Sequence, residues 1–472
     1  MRLPRVLLAG LKGGSGKTIL SIGLARQYAD AGFQVKPFKK GPDYIDAVWI
    51  GRAAGTSATN LDPFFMADDL LQSLFAEKAQ GADLALIEGN RGLFDGKDVS
   101  GSCSSSHLAR KLSTPVVLVI DCTKMSRTVA ALVQGCCFFE PGLDLAGVIF
   151  NQTAGERHRR ILRDCVETYT DVTVLGAVPK IKTGIIPERH MGLISDQEFA
   201  AEEAIQACRQ IVAEHVDCQS VFDLARKAPR LEAPQVSVWP EQRLPAQSVA
   251  LGVVKDACLW FYYPENLEAL ERAGARLVDI SLLSSEDWPE LDGIYFGGGF
   301  PETQAEVLSA NVRIRKRVLE LAGAGMPIYA ECGGLMYLCA ELGIEGTLYP
   351  MVGVFPLHVE LNRKPQGHGY TLTRVVRPNP FHCLGAEFTG HEFHYSCCSP
   401  PDEHDQGHCL QMVRGTGMGQ GWDGLLFQNT FACYTHLHAL SVPDWALNFV
   451  RAAQTYQQAR EDGYLECPPI IA

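Results

Sequence analysis

In the stretch MPIYAECGGLMYL, residues 326–338, a single cysteine, Cys332, follows an apolar run and precedes two glycines and a helical pattern. A thiol at such a strand-to-helix turn is lifted above the sheet. The helix N-terminus beneath it is expected to lower its pKa, and backbone N–H groups there face a developing oxyanion. An isolated cysteine is ordinarily a small buried hydrophobe; the turn is what marks Cys332 as a nucleophile. Upstream, GIYFGGGFPE (293–302) closes a strand-like run in three glycines. The amides of Gly298, Gly299 and Gly333 are expected to bind a tetrahedral intermediate. Downstream, CYTHLHALS (433–441) supplies His436 and His438 as candidate bases.

A second chemistry lies near the N-terminus. LLAGLKGGSGKTIL (7–20) has the strand, glycine loop and helix order of a phosphate-binding loop. Backbone N–H groups of Gly13, Gly14, Ser15 and Gly16 could cradle phosphates, Lys17 reach the β/γ oxygens and Thr18 hold Mg²⁺. The strict pattern would put a glycine at position 11, where Leu11 stands, and the loop instead reads K-G-G-S-G-K-T from Lys12. VKPFKKGPDYID (35–46) brings Asp43 and Asp46, and ADLALIEGNRGLFDG (82–96) brings Glu88 and Asp95. Each acid alone would be a cap or a solvated loop residue. Because ligands of open α/β sheets bind beyond the carboxyl ends of the strands, all four can converge beside the phosphates. Thr18, Asp43 and Glu88 form the expected metal set. Lys39, Tyr44, Asp46 and Asp95 form the expected ligation side.

The elements that must position these residues are legible as short apolar runs. RVLLAG, LALIEG, PVVLVID and LAGVIFN form one set; SVALGVV, RLVDIS, GIYFGGG and PIYAECGG form another. Continuous Val/Leu/Ile runs followed by turns and helical segments predict parallel strands buried on both faces, an α/β fold. Residues 226–248 contain four prolines and no apolar period, the pattern of a linker. The expected organisation is therefore a domain over 1–225, a second over 249–442 and a C-terminal tail over 443–472.

A chain of 472 residues exceeds one ordinary core. Its net charge of −12 lacks the clustered basic surface that a nucleic-acid partner requires. No stretch approaches a membrane span and no leader is evident, so a cytoplasmic location with no membrane partner is expected. The 16 cysteines show no C-x-x-C spacing, which predicts reduced, mostly buried thiols rather than disulfides or a zinc site. His391 and His394 in GHEFHYS fall three apart in a strand-like segment. They then point to opposite faces and cannot share a metal.

The nucleotide loop, FKKGPDYID, EGNRGLFDG, IPERHMGL, GGGFPE, AECGGLMYL, GHEFHYS and YTHLH occur in this order along the chain. Together they resemble the cobyrinate a,c-diamide synthases, glutamine-dependent amidating enzymes of corrinoid synthesis, over nearly the whole sequence. The resemblance implies a P-loop, dethiobiotin-synthetase-like ATP domain joined to a class I glutamine amidotransferase domain. It implies that Cys332 attacks the glutamine amide and that His436 activates it. His438 stands where many class I enzymes carry the glutamate of a triad, so no third member is identified. It also implies ATP and Mg²⁺, phosphorylation of a peripheral carboxylate of a tetrapyrrole-derived macrocycle, and displacement of phosphate by ammonia at the c and then the a acetate. A homodimer is left open.

The Lys12 form of the loop also resembles partition and nitrogenase-iron ATPases, in which the extra lysine crosses a dimer. Those proteins lack a cysteine elbow, so Lys12 is expected to be phosphate-side or solvated. A partition-type ATPase with an inactive amidotransferase domain is the remote alternative. Lys40, Ala47 and Val48 replace the valine, proline and glycine expected in the family. Lys40 is expected to be able to meet an extra acceptor carboxylate. The same chemistry on sirohaem or nickel-sirohydrochlorin is therefore the alternative to cobyrinate.

Overall fold

The computed structural model describes residues 2–181, 188–189, 192–193, 201–232, 236–239, 249–284, 286–398 and 407–463. The motif IPERHMGL, much of the expected linker and the end of the expected tail lie wholly or partly outside them. The chain divides into two compact units, Met1–Val238 and Trp239–Ala472. No described helix is long and apolar enough to cross a membrane.

The first unit alternates strand and helix: β1 (Arg5–Gly10), α1 (Lys17–Asp30), β2 (Val35–Lys40), α2 (Tyr44–Ala54), β3 (Thr59–Leu61), α3 (Asp68–Lys78), β4 (Leu84–Gly92), α4 (Ser105–Lys111), β5 (Val116–Asp121), α5 (Thr128–Phe139), β6 (Leu145–Thr153), α6 (Glu156–Tyr169) and β7 (Thr173–Pro179). A two-stranded ribbon, β8 (Glu188–Arg189) and β9 (Gly192–Leu193), precedes α7 (Ala201–His215) and α8 (Cys218–Arg226). The seven-stranded sheet runs β3-β2-β4-β1-β5-β6-β7, and its pairings are parallel. Crossover helices on its faces explain why β1 is buried at every position. With β1 between β4 and β5, the loop after β1, the end of β2 and the end of β4 meet at one edge, where the strand order reverses.

The second unit has a six-stranded sheet, ordered β12-β10-β13-β15-β25-β24. Its strands are β10 (Val249–Val254), β12 (Ala275–Ile280), β13 (Gly293–Phe296), β15 (Ile328–Glu331), β24 (Leu425–Phe427) and β25 (Thr430–Cys433). Alternate residues serve opposite faces: Ile294, Phe296, Ile328 and Ala330 join one hydrophobic cluster, whereas Tyr295 and Tyr329 join another. Between these strands lie β11 (Leu259–Phe261), α9 (Pro264–Arg272), β14 (Gly298–Gly299), α10 (Ala305–Ala310), α11 (Val312–Gly323) and α12 (Gly333–Leu338).

Two further sheets elaborate this unit. One contains β16 (Cys339–Ile344), β17 (Thr347–Pro350), β18 (Phe355–Leu361) and β21 (Ser396–Cys398). The other contains β19 (Gly367–Val375), β20 (Glu387–His394), β22 (Leu410–Arg414), β23 (Trp422–Asp423) and β26 (His436–Leu437). The segment from 443, expected to be a tail, instead opens with α13 (Trp445–Glu461). Its Trp445, Phe449, Val450 and Ala453 are core residues. Burying side chains of this kind stabilises by about 1.5–3 kcal/mol each, so the helix is an integral part of the unit.

Candidate active sites

In the first unit, α1 begins at Lys17 with Gly16 as its N-cap at φ 91° and no side-chain cap. A β-carbon at Gly16 would collide with the Asn151 side chain, and Asn151 Nδ2 in turn donates to Ser15 O at 2.9 Å. The uncapped N–H groups of the first turn are thus free to meet an anion. Lys17 is buried and donates to Lys12 O at 3.3 Å and Arg91 O at 3.0 Å; burial holds its pKa below the usual lysine value. Lys12 is largely solvated and pairs with Asp121 at the end of β5, 3.3 Å away.

Lys39 sits in the middle of the acid cluster. Its Nζ lies 2.5 Å from Asp46 Oδ2, 2.8 Å from Glu88 Oε1 and 3.8 Å from Asp43 Oδ2. Burial alone would lower its pKa, but Asp46 and Glu88 outweigh burial and raise it. Thr18 Oγ1 donates to Glu88 at 2.8 Å and lies 3.3 Å from Asp46. Asp46, assigned from sequence to the ligation side, is therefore the aspartate adjoining Thr18. Asp43 is the N-cap of α2, accepting from Asp46 N at 3.0 Å. Burial, with Asp46 beside it, pushes Asp43 up to about 7. Burial raises Glu88, while Lys39 overcomes burial to hold Asp46 down.

A Mg²⁺ ion fits this donor set. Glu88 Oε2 is buried with no hydrogen-bond partner, and hydroxyl and carboxylate oxygens are the ligands this hard cation takes, supplemented by phosphate and water. Tyr44 is buried in the first turn of α2. Asp95 is exposed and accepts from Gly92 N at 3.0 Å. Lys40, expected to be able to meet an acceptor carboxylate, is only 5% exposed, and burial lowers its pKa despite nearby Asp62. It is not a surface cation.

In the second unit, Cys332 stands between β15 and α12 at φ 47°, ψ −99°. This sparsely populated conformation for a residue with a β-carbon is held by Cys332 N donating to Cys433 O at 2.7 Å. The thiol is 4% exposed. Burial pushes its pKa up, with Glu302 adding to the rise and the Gly333 N–H only partly opposing it. The expected lowering by a helix N-terminus is therefore corrected: desolvation of the buried thiol outweighs the Gly333 N–H at the start of α12. The raised pKa favours the neutral thiol at rest.

Of the three glycines, Gly298 packs against the candidate base His436 and Gly333 against Gly299. A β-carbon at Gly298 would collide with His436 Cε1, and one at Gly333 would meet Gly299 N at 2.9 Å. His436 is fixed by its neighbours. Its ring stacks on His391, its cross-strand partner, at 4.8 Å. Its Nδ1 lies 3.3 Å from Glu331 Oε2. Asp423 accepts from Tyr434 N, Thr435 N, Thr435 Oγ1 and Gly424 N, clamping the turn that delivers His436. His438 is committed elsewhere: Nδ1 accepts from Leu440 N at 3.2 Å and Nε2 lies 3.7 Å from Glu265. His391 and His394 lie on a strand, as expected, and contact different rings, His436 and Tyr434.

Sequence reasoning did not identify Glu331, Asp423, His391 or Asn151 as parts of these sites. Glu331 and Asn151 were visible as polar endings of apolar runs. The roles of Asp423 and His391 depend on long-range pairing.

Comparison with known proteins agrees with both units. A CobQ/CobB/MinD/ParA nucleotide binding domain matches residues 6–194, and a CobB/CobQ-like glutamine amidotransferase domain matches residues 250–443. The chain is 39% identical to a cobyrinate a,c-diamide synthase of Magnetococcus marinus, over 94% of this chain and 96% of that one. It is 37% identical to the protein of the same name from Archaeoglobus fulgidus, over 96% and 98%. It is 36% identical to that of Listeria innocua, over 93% and 97%.

Proposed function

We propose a reaction from the premise that the chain belongs to the cobyrinate a,c-diamide synthase family and is a glutamine-dependent amidating ligase. The proposed reaction is ATP-dependent amidation of the a and c acetate carboxylates of cobyrinate through acyl phosphates, with ammonia from glutamine. The observation that carries it is the presence in one chain of an acid-lined phosphate loop and a strained Cys332 that directly follows Glu331, the carboxyl group 3.3 Å from His436 Nδ1.

Residues 1–225 are assigned ATP binding and ligation, and residues 249–442 glutamine hydrolysis. The amides of residues 13–16 and Lys17 hold the ATP phosphates, and Lys39 balances carboxylate charge beside them. Mg²⁺ held by Thr18, Glu88 and neighbouring aspartate would neutralise phosphate charge as the acceptor carboxylate attacks. In the other domain, His436 takes the Cys332 proton and sulfur attacks the glutamine carboxamide carbon. The amides of Gly298, Gly299 and Gly333 support the oxyanion. His436 passes that proton to the amide nitrogen, which leaves as ammonia, and water hydrolyses the γ-glutamyl thioester to glutamate and the Cys332 thiol. Ammonia then attacks the acyl phosphate, forming the amide and releasing phosphate. The burial of Lys40 removes the argument from charge for an acceptor with an extra carboxylate, which favours cobyrinate over sirohaem-type macrocycles.

Incubation with ATP, Mg²⁺ and glutamine, one macrocycle at a time, followed by mass spectrometry tests this reading. Each carboxylate-to-amide step lowers the product mass by about one unit, as aminolysis of an acyl phosphate requires. Two conversions on cobyrinate and none on sirohaem or nickel-sirohydrochlorin are expected; the reverse would reassign the acceptor.

A further inference from the structure

We infer that Glu331 is the positioning residue that orients His436 and fixes its proton on Nδ1, filling the place that no residue two positions after the histidine fills. The inference rests on the assignment of Cys332 and His436 as the glutamine-hydrolysing pair.

Glu331 ends β15 and immediately precedes the nucleophile, and its side chain is fully buried. Its partners are all hydrogen-bond donors or able to act as such. Leu437 N–H reaches Oε1 at 3.4 Å, His436 Nδ1 lies 3.3 Å from Oε2, and the Tyr295 hydroxyl bonds to the carboxylate. A carboxylate in that setting accepts on both oxygens. An Nδ1–H pointed at Glu331 leaves the lone pair on Nε2, the nitrogen then available to take the thiol proton. When His436 is protonated, the buried carboxylate faces an imidazolium, so the charge separation occurs beside a fixed counter-charge rather than in an apolar pocket. His438 cannot serve this purpose while bound to Leu440 N and facing Glu265. Acid and nucleophile thus come from the end of β15 and the turn directly after it, and the base from the start of β26, which follows β25, the neighbour of β15.

Glutamate release from glutamine is measured on the full-length enzyme with ATP, Mg²⁺ and macrocycle present. The expected result for Glu331→Gln, which keeps the shape but can present an amide N–H to Nδ1, is a fall in kcat of about 100-fold or more with KM for glutamine within about twofold. Amidation driven by added ammonium salt is unchanged, and Glu331→Asp, which restores the charge, recovers part of kcat. Wild-type kcat in Glu331→Gln would overturn the inference. So would a parallel loss of glutamine- and ammonium-driven rates, or a Glu331→Asp variant no better than Gln. Cys332→Ser, run alongside, separates the two readings: if it retains glutamine turnover, the Cys332 assignment itself fails; if only Glu331→Gln does, the assignment stands and the role of Glu331 falls.

Discussion

At Cys332 the same burial that raises the thiol pKa hands the chemistry to its neighbours. A thiol that does not ionise at rest attacks only when a base removes its proton in the same event. Cys332→Ser is therefore expected to abolish glutamine-driven amidation and leave ammonium-driven amidation near the wild-type rate, read by assaying both nitrogen sources; retained glutamine use would contradict it. The cysteine was legible because its turn has a sequence signature. The pKa was not, because desolvation depends on what packs above the sulfur. Likewise Lys39 sits in a readable motif, yet its pairing with Asp46 and Glu88 depends on adjacent parallel strands, β2 and β4, in a register that no local pattern specifies. Removing one partner of such a buried pair typically costs about 3–5 kcal/mol.

Among the elements, β14 bears directly on the proposed glutamine site while contributing only two glycines. Gly298 leaves the space that the His436 ring occupies, and Phe261 closes the other side. Gly298→Ala must push the imidazole or the strand aside. The expected effect is a loss of at least about tenfold in glutamine-dependent kcat, since displacements near 1 Å can cost 100-fold, with ammonium-driven activity spared; equal kinetics would show that the ring does not need this space. The parallel strands β1, β4, β5, β6, β10, β12, β13 and β15 were readable as apolar runs, most of them buried on both faces; β3, β7 and β25 were not read. The sheets built from β16–β18 and β21, and from β19, β20, β22, β23 and β26, were mostly not. Their strands are short or only partly buried and several pair across long sequence separations. The helix α13 was missed because its polar residues interrupt the pattern that Trp445 and Phe449 anchor.

For the molecule as a whole, pH should act through buried histidines as well as through the sites. His382 is 4% exposed, stacks on Phe388 and is pushed down to about 3 by burial. An unfolded histidine titrates near about 6.5. Between these values the unfolded chain binds the extra proton. The contribution is full above the unfolded value and is lost as pH falls toward the folded one, at up to about 1.4 kcal/mol per pH unit. Urea unfolding near about pH 7 and about pH 4.5 should show a smaller acid loss for His382→Phe than for wild type; equal losses would refute the assignment. Burial also decides the fate of the sulfur atoms under oxidative stress. Peroxide selects thiols that are ionised and reachable, and Cys332 at rest is neither. Among the described cysteines Cys383 alone is exposed, so an oxidant meets a surface thiol first. On the proposed mechanism the Cys332 sulfur ionises only when His436 takes its proton, the moment at which bound glutamine would cover it.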